Sequence, residues 1–342
     1  MRDNAPLGFA AGSVPMSPQM FRLPANTHGR DFVVGDIHFK TIELHKALRA
    51  LNFDATVDRV IAVGDLIDRG PGVLDGLKLL GEPWFFCVRG NHEQMLIDAY
   101  EQTPQKPYSA HGARWWLTIA DESKPMIIQR LARLPIAIEI ETPRGLVGVV
   151  HADLPHGVSW QSFIDGLENR QFVDIALWGR ERVKKHVRDG VEGAWRVCTG
   201  HTWIPSALRL GNVLALDVTG GGEGPLAVFC VQDDTIYVDG KPVSLDQAEQ
   251  LTEDLAGLEQ KLGELKTLVN SNKLIESQGL SREVEALGKQ INSAWLTIQD
   301  EIAESQTLIN ALHGLSLLRN DGRPVKLKEL KRRYACVHPE RD

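Results

Sequence analysis

The sequence lacks any run of roughly 18 apolar residues, so it encodes no helix able to span a membrane. It has only four cysteines, Cys87, Cys198, Cys230 and Cys336. They are far apart and make no C-x-x-C pair, which argues against a structural zinc site and a disulfide framework. Cys87, Cys198 and Cys230 fall inside apolar runs, where a thiol packs as a small hydrophobe. This usage fits a reducing cytoplasm. No unbroken apolar stretch opens the chain, which is interrupted by Pro6, Pro15, Pro18 and Pro24, so no secretory signal is expected. Basic excess is also missing. Lys and Arg number 38 against 45 Asp and Glu, a net charge of −7, which argues against nucleic acid as the main partner.

What is present is ordinary for a globular protein: 43% hydrophobic and 24% charged residues in a chain of 342, enough for one large domain and an appendage. Residues 1–30, rich in Pro, Gly, Ser and Asn, read as a flexible lead-in. A repeating pattern then begins. Phe32–Val34, Arg59–Val63 and Trp84–Val88 read as strands, with helices expected over Thr41–Leu51, Val73–Leu80 and Glu93–Tyr100. Strand, turn and helix in alternation predict a layered α/β sheet. Residues 101–134 read as a mostly helical insertion leaning over the sheet ends, with Trp115 and Trp116 expected to pack. Strands dominate again at Ile136–Ile140, Leu146–Val150, Arg196–Thr199, Val213–Asp217, Leu226–Val231 and Thr235–Val238, and read as a second sheet on the first. Residues 31–240 therefore form the main domain. Residues 241–318 carry apolar positions spaced by three and four, the pattern of an α-helical hairpin, expected to bind a partner or a second copy of the chain. Residues 319–342 form a locally basic tail.

Chemistry gathers where the strands end. V-G-D-L-I-D-R-G-P at Val63–Pro71 follows one apolar run; G-D-I-H at Gly35–His38 and G-N-H-E at Gly90–Glu93 follow two others, and His151 and Gly200-His201 follow two more. Strand ends of an α/β sheet open into a crevice. Oxygen and imidazole donors without thiolate favour Mn²⁺, Fe²⁺ or Zn²⁺. On this reading Asp65 bridges two ions, Asp36 and His38 complete the first, and Asn91, His151 and His201 complete the second. A neutral Asn91 keeps the site positive after two carboxylates and a bridging hydroxide are counted. Arg69 and Arg180 add charge for a phosphate dianion, with Arg182 a close competitor to Arg180. Two adjacent metals acidify a water for in-line attack on phosphorus. His92, beside Asn91, is placed as general acid, and Asp68 to hold its ring. His111, His156 and His186 lie outside these motifs and are expected to be solvated.

The ordered motifs G-D-I-H, G-D-L-I-D-R-G, G-N-H-E, V-V-H-A-D and G-H-T resemble those of the PPP-type (calcineurin-like) metallophosphatases, and L-W-G-R with G-N-H-E-Q-M-L resembles the bacterial and bacteriophage serine/threonine protein phosphatase branch. The resemblance runs from about Arg22 to Val238. It implies a two-layer β-sandwich flanked by helices, Mn²⁺-dependent hydrolysis of phosphoserine and phosphothreonine without a phosphoenzyme, and the roles assigned above. Two departures stand out. Phe39 occupies a position the family usually gives to glycine, which predicts a narrowed entrance or a displaced His38. V-T-G-G-G at Val218–Gly222 replaces a T-G-A-like turn, a change expected to alter a loop and leave the chemistry alone. Two rival readings follow: a dinucleoside polyphosphate hydrolase of the same fold, and a catalytically weakened scaffold with Phe39 as its signature.

Overall fold

A computed structural model describes residues 19–103, 108–222 and 224–243. The helical hairpin, apart from residues 241–243, the basic tail and residues 1–18 lie outside the described residues.

Two six-stranded sheets face each other, with helices on their outer faces. The first runs β12-β11-β10-β2-β3-β4, and the second β1-β5-β6-β7-β9-β8. In chain order the strands are β1 (Met20–Leu23), β2 (Asp31–Val34), β3 (Arg59–Ala62), β4 (Phe85–Cys87), β5 (Ala137–Ile140), β6 (Val147–Val150), β7 (Arg196–Thr199), β8 (Leu208–Leu210), β9 (Val213–Ala215), β10 (Ala227–Cys230), β11 (Thr235–Val238) and β12 (Lys241–Pro242). The helices are α1 (Thr41–Ala50), α2 (Val73–Leu79), α3 (Asn91–Gln102), α4 (Lys124–Ala132), α5 (Trp160–Asp165), α6 (Arg170–Trp178) and α7 (Glu181–Lys184), with a kinked 3-10 segment at Ala110–Thr118.

Side chains of a strand alternate faces, and here both faces are covered. Val33 of β2, Ile61 of β3 and Phe229 of β10 turn inward to meet Ile138, Val149 and Leu214 of the other sheet. Their neighbours Phe32, Val60 and Val228 turn outward, under Leu44, Ala47 and Leu48 of α1. On the opposite side α5 and α6 lay Phe163, Ala176 and Leu177 over Val150 and Val197. This double burial explains why the strands read as continuous apolar runs.

Two boundaries differ from expectation. β10 and β11 do not join the second sheet: β10 pairs antiparallel with β2, Val228 opposite Val34, and β11 and β12 follow it outward. All four residues of β10 are buried, so the strand belongs in an interior position rather than at an edge. The lead-in is shorter than 30 residues, because β1 already pairs parallel with β5, Met20 opposite Ala137.

The topology positions the site. β2, β3 and β4 are mutually parallel, and so are β6, β7 and β9. Six carboxyl ends therefore open at one place.

Candidate metal centre

Backbone strain concentrates at these ends. His38 (φ 45°), Phe39 (54°), Asp65 (46°), Asp68 (74°), Arg69 (64°) and His201 (64°) all occupy the left-handed region. Non-glycine residues avoid it, and they are held there only where their surroundings over-determine the turn. The two sheets also meet closely: a Cβ at Gly200 would overlap Asp36 Oδ1, so only glycine lets β7 approach that carboxylate.

Asp65 stands at the centre, almost fully buried. Its Oδ2 lies 3.7 Å from His38 Nε2 and 3.8 Å from His92 Nε2, and its Oδ1 lies 3.4 Å from His151 Nε2. Two donor sets able to hold a metal ion share it: His38, Asp65 and His92, and Asp65, His151 and His201, the ligand atoms of each lying within 4.8 Å of one another. Asn91, the first residue of α3, places Oδ1 2.8 Å from His151 Nε2. Asp36 accepts the His201 backbone N–H at 3.1 Å on both oxygens.

The donors fit divalent cations. His38 Nδ1–H donates to the Ile67 carbonyl at 2.9 Å and His151 Nδ1–H to the Val63 carbonyl at 2.8 Å, which leaves both Nε2 lone pairs facing the centre. On His151 that lone pair points at the Asn91 oxygen, an acceptor, and a cation beside them reconciles the pair. His201 Nε2 is buried without a hydrogen-bond partner, a state that buried polar atoms seldom tolerate. Burial holds His38 and His201 neutral, each lowered to about 3, and lowers His151 as well. Burial, with the charges of Asp217 and Asp65, raises Asp36 well above the usual carboxylate range. Burial opposes ionisation of Asp65 too, but the imidazoles of His151, His92 and His38 and the His92 backbone N–H outweigh it and lower its pKa. Buried carboxylates this close call for positive charge between them.

Arg69 donates from Nη1 to His38 Nε2 at 3.0 Å and to the Gly220 carbonyl at 2.6 Å, and its Nη2 lies 3.0 Å from His92 Nε2. His92 Nδ1–H donates to Asp68 Oδ2 at 2.6 Å. Burial works against a charged His92, yet the Asp68 hydrogen bond and the nearby carboxylates raise its pKa. Arg180 caps α7 and donates to the His201 carbonyl at 3.1 Å. Arg182 does not compete with it: its Nε and backbone N–H each reach Asp153 at 3.0 Å, a buried ion pair behind the site. All ten residues singled out from the motifs thus come together. His156 lies away against Glu181 at 3.6 Å, whereas the exposed His111 brings its ring within 6.4 Å of the His92 ring.

Both departures look different in three dimensions. Phe39 does not narrow the entrance. Its ring is fully buried, packed edge-on against Trp115 at 5.0 Å, while the His38 backbone stays pinned to Asp65 at 2.8 Å. The loop Val218–Gly222 does reach the chemistry, because Gly220 and Gly221 lie directly on the Arg69 side chain.

Four residues escaped sequence reasoning. Glu93, buried, accepts the backbone N–H groups of Asp65 (3.0 Å), Ile67 (3.1 Å) and Gly90 (2.8 Å), tying two strand ends together, and burial beside Asp65 raises it to about 7. Its signal was the capping position three residues after Gly90. Asp217, at the end of β9, repeats the strand-then-carboxylate pattern of Asp36 and Asp65. Lys40, lowered to about 8 by burial, donates to the Gly222 carbonyl at 3.0 Å. Trp115 donates its indole N–H to Asp68 Oδ1 at 2.7 Å, a contact without a local signal.

Residues 32–211 match the family described as calcineurin-like phosphoesterase. Serine/threonine-protein phosphatase 1 of Salmonella typhimurium is 34% identical over 215 residues, 62% of this chain and 96% of that protein. Serine/threonine-protein phosphatase 2 of Escherichia coli is 31% identical over 217 residues, 62% of this chain and 97% of that protein. A symmetrical bis(5'-nucleosyl)-tetraphosphatase of Coxiella burnetii is 35% identical over 138 residues, 39% of this chain and 44% of that protein.

Proposed function

We propose, because the chain belongs to the calcineurin-like phosphoesterase family, that it is a hydrolase of phosphoserine and phosphothreonine esters in proteins. The observation that carries this is the Asp65 carboxylate, shared by two sets of side chains able to hold a metal ion. Asp36, His38 and Asp65 would hold one ion, and Asp65, Asn91, His151 and His201 the other. An oxygen and imidazole set without thiolate supports Mn²⁺, with Fe²⁺ and Zn²⁺ as the alternatives. When bound, such a pair supplies Lewis acidity toward a water and the phosphoryl oxygens.

The chain's own residues do the rest. Arg69, in the turn after β3, and Arg180, just before α7, receive the equatorial oxygens, where charge accumulates as water attacks in line. The bond from phosphorus to the serine or threonine oxygen breaks, and that alkoxide takes a proton from His92 Nε2. Asp68 on Nδ1 fixes the ring and favours its protonated form. Geometry groups His92 with the side chains able to hold a metal ion, but its Nδ1–H is held by the Asp68 carboxylate, whereas His38 and His151 lean on backbone carbonyls, which supports a proton donor over a ligand.

The relatives named as protein phosphatases align over nearly their full length, and the nucleotide hydrolase over less than half of its own, which supports a phosphoprotein substrate. Phe39 packs away from the site, which supports an active enzyme over a weakened scaffold. The deciding experiment incubates Mn²⁺-loaded protein with phosphoserine and phosphothreonine peptides and with diadenosine tetraphosphate. Faster turnover of the peptides is expected; turnover confined to the nucleotide would overturn the assignment. The periodicity of residues 241–318 supports self-association or partner binding there, measurable as a change in sedimentation when the segment is removed. The free, buried Cys87, Cys198 and Cys230 support a cytoplasmic location.

A further inference from the structure

Asp68 is fully buried, and its two oxygens have different partners: Oδ2 takes His92 Nδ1–H at 2.6 Å, and Oδ1 takes the Trp115 indole N–H at 2.7 Å. Trp115 comes from the 3-10 segment 47 residues downstream, a different element from the turn that carries Asp68. The same segment returns to that turn a second time, where the Arg69 backbone N–H donates to the Gly112 carbonyl at 3.3 Å. Beneath the indole lies Phe39, perpendicular at 5.0 Å, and beside it Trp116 at 5.5 Å. Phe39 is held at φ 54°, a conformation an aromatic residue resists. The turn thus holds Phe39 in a strained backbone conformation with its ring against Trp115.

We propose that Trp115, seated on Phe39, is a positioning residue for proton donation: it locks Asp68 so that one carboxylate oxygen stays on His92 and Nε2 of that ring faces the leaving oxygen. A carboxylate with one free oxygen rotates about its last torsion and draws its partner imidazole with it. An indole donor removes that freedom and satisfies the second buried oxygen. The geometry also explains why Phe39 stands where the resembled motif has glycine: the ring fills the space beneath the indole.

The inference rests on the phosphatase reading, and leaving-group dependence separates the two. Protonation matters for a poor leaving group such as phenoxide and hardly at all for dinitrophenoxide. For Trp115→Phe in the full chain with Mn²⁺, kcat on phenyl phosphate should fall about ten- to hundredfold. KM should hold, and the rate on 2,4-dinitrophenyl phosphate should stay within about twofold. Trp116→Phe, which alters the neighbouring indole, should leave the ratio of the two rates unchanged. Equal losses on both esters, no loss on either, or the same ratio change in Trp116→Phe would overturn the proposal. If Trp115→Phe does not fold, a variant that keeps Trp115 decides. Replacing Asp68 with Ala removes the acceptor and should shift the Trp115 indole N–H resonance upfield by more than any of the other seven tryptophans in a total of eight, and an unmoved resonance would overturn it. Absence of turnover on both esters by the unaltered, metal-loaded protein would instead fail the phosphatase reading, and this inference with it.

Discussion

In the half of the centre built on β2, β3 and β4, Arg69 covers the inward nitrogens of both imidazoles, at 3.0 Å from His38 Nε2 and 3.0 Å from His92 Nε2. Asp68, Glu93 and Trp115 brace the turns beneath. In the half built on β6 and β7, His201 Nε2 is buried without a partner, and Arg180 reaches the site through the His201 carbonyl. One half is cross-braced by side chains; in the other His151 leans on the Val63 carbonyl and Arg180 on the His201 carbonyl. The two halves meet at Asp65. On the proposed reading, proton delivery uses the imidazole that Asp68 and Trp115 hold on the braced side, and ligation draws on both halves.

The largest effect is expected at the residue common to both halves. Asp65→Asn removes the shared carboxylate charge, and hydrolysis of an aryl phosphate should fall on the order of a thousandfold or more, since Lewis-acid stabilisation of several kcal/mol is lost. Titration calorimetry should show both Mn²⁺ binding events weakened; if one set bound as before, Asp65 would belong to a single half. Arg69→Ala separates phosphate binding from metal binding. kcat/KM should fall about ten- to hundredfold for the lost charged hydrogen bonds to phosphate, while titration calorimetry still shows both Mn²⁺ binding events. Loss of either event with Arg69 would contradict its place on the phosphate. The smallest effect on rate is expected from Phe39→Gly. A buried aromatic ring is deleted, at about 3–5 kcal/mol, and a left-handed strain of about 1 kcal/mol is relieved. Thermal unfolding should therefore show a clear loss of stability with no gain in turnover, whereas a faster and equally stable protein would restore the view of Phe39 as an obstruction.

The sequence carried the parts of this molecule that are local. A polar side chain that directly follows a buried parallel strand is readable from the apolar run before it, and that is how Asp36, Asp65, Asn91, His151 and His201 were visible. Pairing partners were not. The run Leu226–Val231 is equally apolar in either sheet, and only its antiparallel register with β2, Phe229 opposite Val33, assigns it to the first. Supporting side chains were hidden for the same reason. Glu93 looks like the end of a motif until its oxygens are seen on the backbone of Asp65 and Ile67. Trp115 looks like core, and it is core on every side except its N–H. Phe39 misled in the opposite sense: a departure from a motif marks a changed backbone requirement but does not say which way the new side chain turns.

Asp65 is expected to lie between two ions, which anomalous diffraction from crystals soaked in Mn²⁺ would reveal. Two peaks are expected, one bounded by Asp36, His38 and Asp65 and the other by Asp65, Asn91, His151 and His201, with the Arg69 guanidinium moved off His38. A single peak, or any arrangement in which Asp65 touches no ion, would contradict it.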